Sequence, residues 1–231
     1  MGSPMPPMPD HMLPRPPMPD DPALLAAFDA LLEAAVRAGP GGTLDYRLAA
    51  PKWQFLCHVA DQHGLILHGS QNAAIARFEP RKANDAHPFG DRSAVYGARD
   101  GIWPLYYAIL DRATHPILLL NSAVRIESLD GTLGEPHYFF SISESARLRR
   151  PYRPGTVYLL PSSGFEAMPP MVIDGARGHV PQWACLSEVT PLARLAVDPE
   201  DFPFLQQMRG HDDETVLARA RANPDGFPWL D

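Results

Sequence analysis

The feature that most constrains this 231-residue chain is a change of hydrophobic period near residue 64. Before it, apolar residues recur at helical spacing: Leu24, Leu25, Phe28, Leu31, Leu32 and Ala35 share one face. Asp21 stands ready as the cap of that helix, Pro22 suits its first turn, and Gly39 stops it. A second helix is expected over residues 51–63, with Trp53, Leu56, Cys57 and Ala60 inward and Gly64 as its stop. Beyond that point the apolar runs shorten to strand length. They fall at 65–67, 94–96, 117–120, 137–142, 156–160 and 185–197, separated by Gly, Pro and Asp. Two helices interrupt or close this series, one from 101 to about 111 and one at 213–222, the latter capped by Asp212 or Asp213 and ended before Pro224. Helices early and mostly antiparallel strands late predict an α+β fold rather than alternating βαβ units.

The chain is 45% hydrophobic and 20% charged, enough apolar surface for one core, so residues 21–231 are expected to form a single domain. Residues 1–20 read differently. Proline and methionine dominate, and Pro-Pro-Met-Pro-Asp occurs twice, at 6–10 and 16–20. Proline fixes φ and lacks a backbone donor, which predicts a solvated, extended or disordered tail. Such a tail is either inert or a docking peptide for a proline-reading partner. The net charge of −7 argues against a surface built for nucleic acid or anionic lipid. Without an 18-residue apolar run or a basic start followed by an apolar stretch, the reading is a cytoplasmic protein with no membrane partner. Cys57 and Cys185 both lie in apolar runs and read as buried thiols, not as a disulfide or a zinc site.

The chemistry-bearing residues gather after the second helix. A strand ending in His68-Gly69-Ser70 places an imidazole beside a glycine that a ligand can approach closely, with a hydroxyl next to it. That set suits a ribose or a carboxamide. Tyr96 ends the next strand, and Tyr106 and Tyr107 follow on a short helix. Arg77, Arg81 and Lys82 flank Phe78-Glu79-Pro80 and are either phosphate-facing guanidinium and ammonium groups or a solvated loop. His87, in Asn84-Asp85-Ala86-His87-Pro88, belongs to a covering loop or an exposed turn. Other chemistries lack their patterns. His58, His63 and His68 recur every five residues, not at the i, i+4 spacing of a helical zinc site. Gly39-Pro40-Gly41-Gly42 is followed by no Gly-Lys-Ser/Thr, and Ser162-Ser163-Gly164 lacks the first glycine of a nucleophile elbow. Asp212-Asp213-Glu214 is an acidic helix start.

Over residues 65–107, the His-Gly-Ser strand, the tyrosine-ending strand and the tyrosine-bearing helix resemble the ADP-ribosyltransferase superfamily, in particular its His-Tyr-Glu, poly-ADP-ribose-polymerase-like branch. The resemblance implies a small split antiparallel β-sheet core with the N-terminal helices packed on it. It also implies a transferase that uses NAD as substrate, needs no metal, and passes ADP-ribose to a protein or nucleic-acid acceptor. By that resemblance His68 holds the adenine-side ribose, the Gly69 backbone holds the nicotinamide amide, and Ser70 supports it. Tyr96 and Tyr107 sandwich the nicotinamide, with Tyr106 competing for the second place; the phosphate-facing reading of Arg77 rests on its charge chemistry alone. The branch's third residue, a glutamate before a late strand, falls to Glu188, with Glu166 as the rival. The tRNA 2′-phosphotransferases of the same superfamily imply a variant that leans on Arg77 and Arg81. A module that binds NAD or ADP-ribose without turning it over is the other reading of the same pocket.

Overall fold

The computed structural model describes residues 8–83, 87–173, 175–224 and 226–230. In chain order its elements are β1 (Leu13–Pro14), α1 (Pro22–Ala38), β2 (Gly42–Thr43), α2 (Lys52–Asp61), β3 (Ile66–Ser70), β4 (Arg81–Lys82), β5 (Ser93–Ala98) and α3 (Trp103–Ile109). They continue with β6 (Leu119–Glu127), β7 (His137–Ser143), α4 (Glu144–Arg147), β8 (Gly155–Leu160), β9 (Phe165–Ala167), β10 (Met171–Ile173) and β11 (Ala176–His179). The last are β12 (Gln182–Cys185), β13 (Ala193–Val197), β14 (Arg209–His211) and α5 (Asp213–Ala222). The fold is α+β, as expected. None of the described helices is long and apolar enough to cross a membrane.

Two mainly antiparallel sheets carry the strands. The larger runs β2-β13-β8-β3-β5-β12-β9, with β4 on β5; the smaller runs β1-β7-β6-β11-β10, with β14 on β7. Side chains alternate across a strand, so each sheet can give one face to a shared interior. That interior takes Phe28 and Leu32 of α1, Phe55 and Val59 of α2, Leu105 and Tyr106 of α3, Leu67, Val157 and Leu195 of the large sheet, and Tyr138 and Phe140 of the small one. On the other face of the large sheet, Ile66, Tyr158, Leu160 and Cys185 form a second cluster under Phe78 and Val189.

Residues 8–20 depart from the expected solvated tail. Leu13 and Pro14 pair with Tyr138 and His137 at the edge of the small sheet, and Met12 is buried. Arg15 carries the physical reason. Its side chain is 5% exposed and forms ion pairs with Asp61 and, at 3.1 Å, with Asp100, which is 2% exposed. The partners arrive from α2 and from the turn before α3, so a local reading of the proline-rich segment cannot find them. Tyr138 completes the set by donating its hydroxyl to Asp100 at 2.6 Å. Asp100 in turn accepts from the amides of Ile102 and Trp103, at 2.8 and 2.7 Å, and so satisfies two free donors at the start of α3.

The run 185–197 is two strands. The chain leaves β12 after Cys185, turns through Ser187 and Glu188, and re-enters the sheet as β13 on the far side of β8. Val189 exchanges backbone hydrogen bonds with Phe78 on the way, at 2.8 and 2.9 Å, which interrupts the strand. The strand expected at 117–120 starts later and runs longer, as β6.

Candidate functional site

The His68-Gly69-Ser70 strand lies in the middle of the large sheet, where the sheet opens. β3 pairs with β8 along its whole length, from Ile66↔Leu160 to Ser70↔Thr156, yet pairs with β5 at Leu67↔Ala98 alone. Past Leu67 the two strands diverge: β5 keeps β12 on its other side and takes β4 at its start, while β3 keeps β8. A side chain crosses the resulting wedge. His68 Nδ1 donates to the Tyr96 carbonyl at 2.7 Å. A carbonyl only accepts, so the proton sits on Nδ1 and Nε2 is left as an acceptor. Burial lowers the pKa of His68, with the Arg112 charge acting the same way and the Tyr96 hydrogen bond opposing them. The ring is therefore neutral at pH 7.

The alternation of β3 sorts the other candidates onto two faces. His68 points toward Phe78, whose ring centroid is 4.8 Å away, and through it toward Tyr158. Leu67 and Gly69 point to the opposite face, toward α3. A Cβ on Gly69 would lie 1.8 Å from the Pro104 carbonyl oxygen, so the close approach that this glycine permits is made by a helix and not left open to a ligand. The Ser70 hydroxyl accepts from the Asn72 amide at 3.1 Å and shapes the turn after β3.

Tyr96 sits two residues from Ala98 on β5 and so shares the α3 face, packed with Phe89, Met168 and Ala184. Its hydroxyl donates to the Phe89 carbonyl at 2.9 Å and accepts from the Arg92 amide at 2.8 Å. Tyr107, on α3, donates to Asn121 Oδ1 at 3.0 Å, and the Arg112 guanidinium lies 5.8 Å from its ring centroid. Tyr106 is fully buried and donates to the Ser141 carbonyl, which leaves Tyr107 as the more accessible of the two.

The two candidate carboxylates end up in different neighbourhoods. Glu188 lies on the turn held against Phe78, on the His68 side, and forms an ion pair with Arg77 at 3.0 Å. Glu166, on β9, stands in register with Ala184 and hence with Tyr96 across three strands, and pairs with Arg92 at 2.5 Å. Both carboxylates are about half exposed, at 50% and 54%. Arg81 starts β4 with its side chain exposed, and Lys82 pairs with Asp91 at 2.7 Å. His87 accepts from the Phe89 amide at 3.1 Å, while Asn84, Asp85 and Ala86 lie outside the described residues.

Sequence reasoning passed over a second place where polar groups converge. A cavity of about 590 Å³ is lined by Glu144, Arg147, Arg209, His211, Arg219 and Trp229, among others. Behind it Ser141 Oγ lies 2.7 Å from His211 Nδ1, and His211 Nε2 lies 3.5 Å from Asp213 Oδ1. The residue types are those of nucleophilic hydrolysis, but Ser141 is fully buried and no substrate reaches it. With Ser143 donating to Asp213 at 2.9 Å, this network ties the start of α5 to β7. Its members come from β7, β14 and α5, more than sixty residues apart at the extremes, and no local motif announces them.

No family model, no curated protein and no solved structure matches this chain.

Proposed function

We propose that the chain binds NAD in the wedge between β3 and β5, cleaves its nicotinamide glycosidic bond and passes ADP-ribose to a protein or nucleic-acid acceptor. The observation that carries this reading is the divergence of β3 from β5 just past Leu67, bridged by a neutral imidazole with Nε2 left to accept. A ligand entering the wedge meets His68 from one face and the α3 side from the other. In this reading Nε2 of His68 accepts from a ribose hydroxyl, the backbone edge of β3 that β5 leaves unpaired past Leu67 holds the carboxamide, and Tyr96 and Tyr107 flank the nicotinamide ring. Arg77 faces the pyrophosphate. The bond between the ribose C1′ and the ring nitrogen breaks, its electron pair leaves with neutral nicotinamide, and an acceptor oxygen or nitrogen attacks C1′ and loses its proton. Glu188 stabilises the positive charge that the sugar carries between those events.

One observation favours the alternative of a binding module: Glu188 is already paired with Arg77 at 3.0 Å. Catalysis requires that pair to open when the pyrophosphate takes over the arginine. Two measurements test the proposal. NAD at about 1 mM should raise the melting temperature, and His68→Gln should abolish the rise without unfolding the protein. Nicotinamide release should then fall ~10²-fold in Glu188→Gln while the NAD-dependent shift survives. Absence of any shift with wild-type protein refutes NAD binding. A shift without nicotinamide release assigns the module reading, and loss of release in Glu166→Gln alone moves the role to the Tyr96 side.

A further inference from the structure

The five-residue spacing of His58, His63 and His68 fails as a metal motif because it looks along one segment of chain. The fold substitutes a different third residue. Asp29, in the middle of α1, faces the end of α2, and its Oδ1 accepts from Nε2 of His58 at 2.6 Å and from Nε2 of His63 at 2.7 Å. His68, on β3, is turned away and spent on Tyr96. The three donor atoms of Asp29, His58 and His63 all lie within 4.8 Å of one another, a grouping found in one place among the described residues.

We infer that Asp29, His58 and His63 form a binding site for a divalent transition cation of the zinc type. Two imidazole nitrogens and one carboxylate oxygen are a donor set that such ions favour. The ligand–ligand separation around a tetrahedral ion with bonds of roughly 2.0–2.1 Å is about 3.3 Å, so the two contacts to Asp29, at 2.6 and 2.7 Å, open by about 0.6–0.7 Å to admit one. The ion takes the place of the two hydrogens now shared with Asp29: each Nε2 turns its lone pair to the metal, and its hydrogen passes to Nδ1 or to solvent.

The surroundings suit this exchange. His58 is anchored, with a side chain 7% exposed and its ring 5.5 Å from that of Phe28. Asp29 and His63 are 45% and 37% exposed, so the ion enters from solvent and keeps a coordination position open on that side. Gly64 directly follows His63, at a φ of +65°, and turns the chain so that His63 folds back beside the helix instead of continuing it. A rigid ligand, a surface ligand from the next turn and a carboxylate from a neighbouring helix make a three-protein-ligand site with an open place. The inference is independent of NAD.

Calorimetric titration of the purified, chelator-treated full chain with zinc chloride tests it, with cobalt(II) absorption as a geometric probe. The expected result is one zinc per chain, a visible cobalt spectrum of the tetrahedral kind, and a melting temperature that rises with zinc. His63→Ala and Asp29→Asn should each weaken zinc binding at least about tenfold, judged by the effect of even outer-shell changes at metal sites. His63 is exposed enough for the alanine variant to fold, and circular dichroism of each variant checks this. Saturable binding that both variants retain overturns the assignment, as does a wild-type protein that takes up no zinc at about 100 µM, well above the affinity expected of such sites.

Discussion

Replacing Arg15 by alanine is the sharpest test of how the N-terminal segment is held. The guanidinium is 5% exposed and Asp100 is 2% exposed, so the substitution leaves a buried carboxylate without its countercharge. Asp100 retains the amides of Ile102 and Trp103 and the Tyr138 hydroxyl, which keeps it hydrogen-bonded but not neutralised. Removing one partner of a buried ion pair costs about 3–5 kcal/mol. Asp61, the other partner, is 27% exposed and recovers solvation, so the lower part of that range is expected. For a chain of this size roughly 2–4 °C of melting temperature corresponds to each kcal/mol, which gives a fall of about 6–15 °C. Differential scanning fluorimetry measures it, and urea titration separates a change of midpoint from a change of slope. The double variant Arg15→Ala/Asp100→Asn should recover part of the loss, because the stranded charge is gone. A single-variant shift within about 2 °C, the scale of a neutral surface change, refutes the reasoning and restores a tail that merely lies on the domain.

Other expectations follow from the same geometry. Gly69→Ala drives a methyl to 1.8 Å from the Pro104 carbonyl, and Gly155→Ala drives one to 1.9 Å from the Ala108 carbonyl; each should cost at least about 1–3 kcal/mol in chemical denaturation, and normal stability in either would mean that α3 is not seated on β3 and β8. Burial holds the pKa values of His68 and His211 below their unfolded value of about 6.5, so the unfolded chain binds more protons under mild acid. Stability from these groups is complete above about pH 6.5 and is lost as pH falls from there toward the folded values; melting curves between pH 7.5 and about 5 should show the decline, and His68→Gln should flatten it. Ser143→Ala removes the donor to Asp213 and the acceptor for the Leu118 amide, and should cost about 1–3 kcal/mol by the same denaturation assay.

Regular, locally encoded elements were legible in the sequence. The last helix runs over Asp213–Ala222 as its caps require, with Asp212 accepting from the Thr215 amide at 2.9 Å. The first is capped by Asp21, again through its carboxylate. What escaped was decided at long range. β6 carries Asn121, Ser122 and Arg125 among its apolar residues, which hides it from an apolar-run criterion; Asn121 is polar because it serves Trp103 and Tyr107 of α3. The stretch 185–197 reads as one strand only if Ser187, Glu188 and Pro191 are passed over; Val189 between them is apolar because it covers the outer face of the sheet beside Phe78. Sequence order placed His68 and Tyr96 near each other, and the strands do so too. Which face each side chain takes follows from register, and the register is fixed by pairings such as Leu67↔Ala98 and Tyr96↔Ala184.

The placement of Arg15 also sets an order of events during synthesis. The arginine is made well before Tyr138, whose strand it must join and which lies 123 residues further on. At about 5–20 residues per second the segment waits roughly 6–25 s for its strand partner. A sticky, extended segment exposed for that long is a hazard, and the prolines around it reduce the risk. Pro14, Pro16 and Pro17 have no amide hydrogen to offer a passing strand, so the segment pairs poorly with anything except the edge that Tyr138 and His137 eventually provide. The composition that makes these residues look like a dispensable tail keeps them unentangled until the sheet they complete has been made.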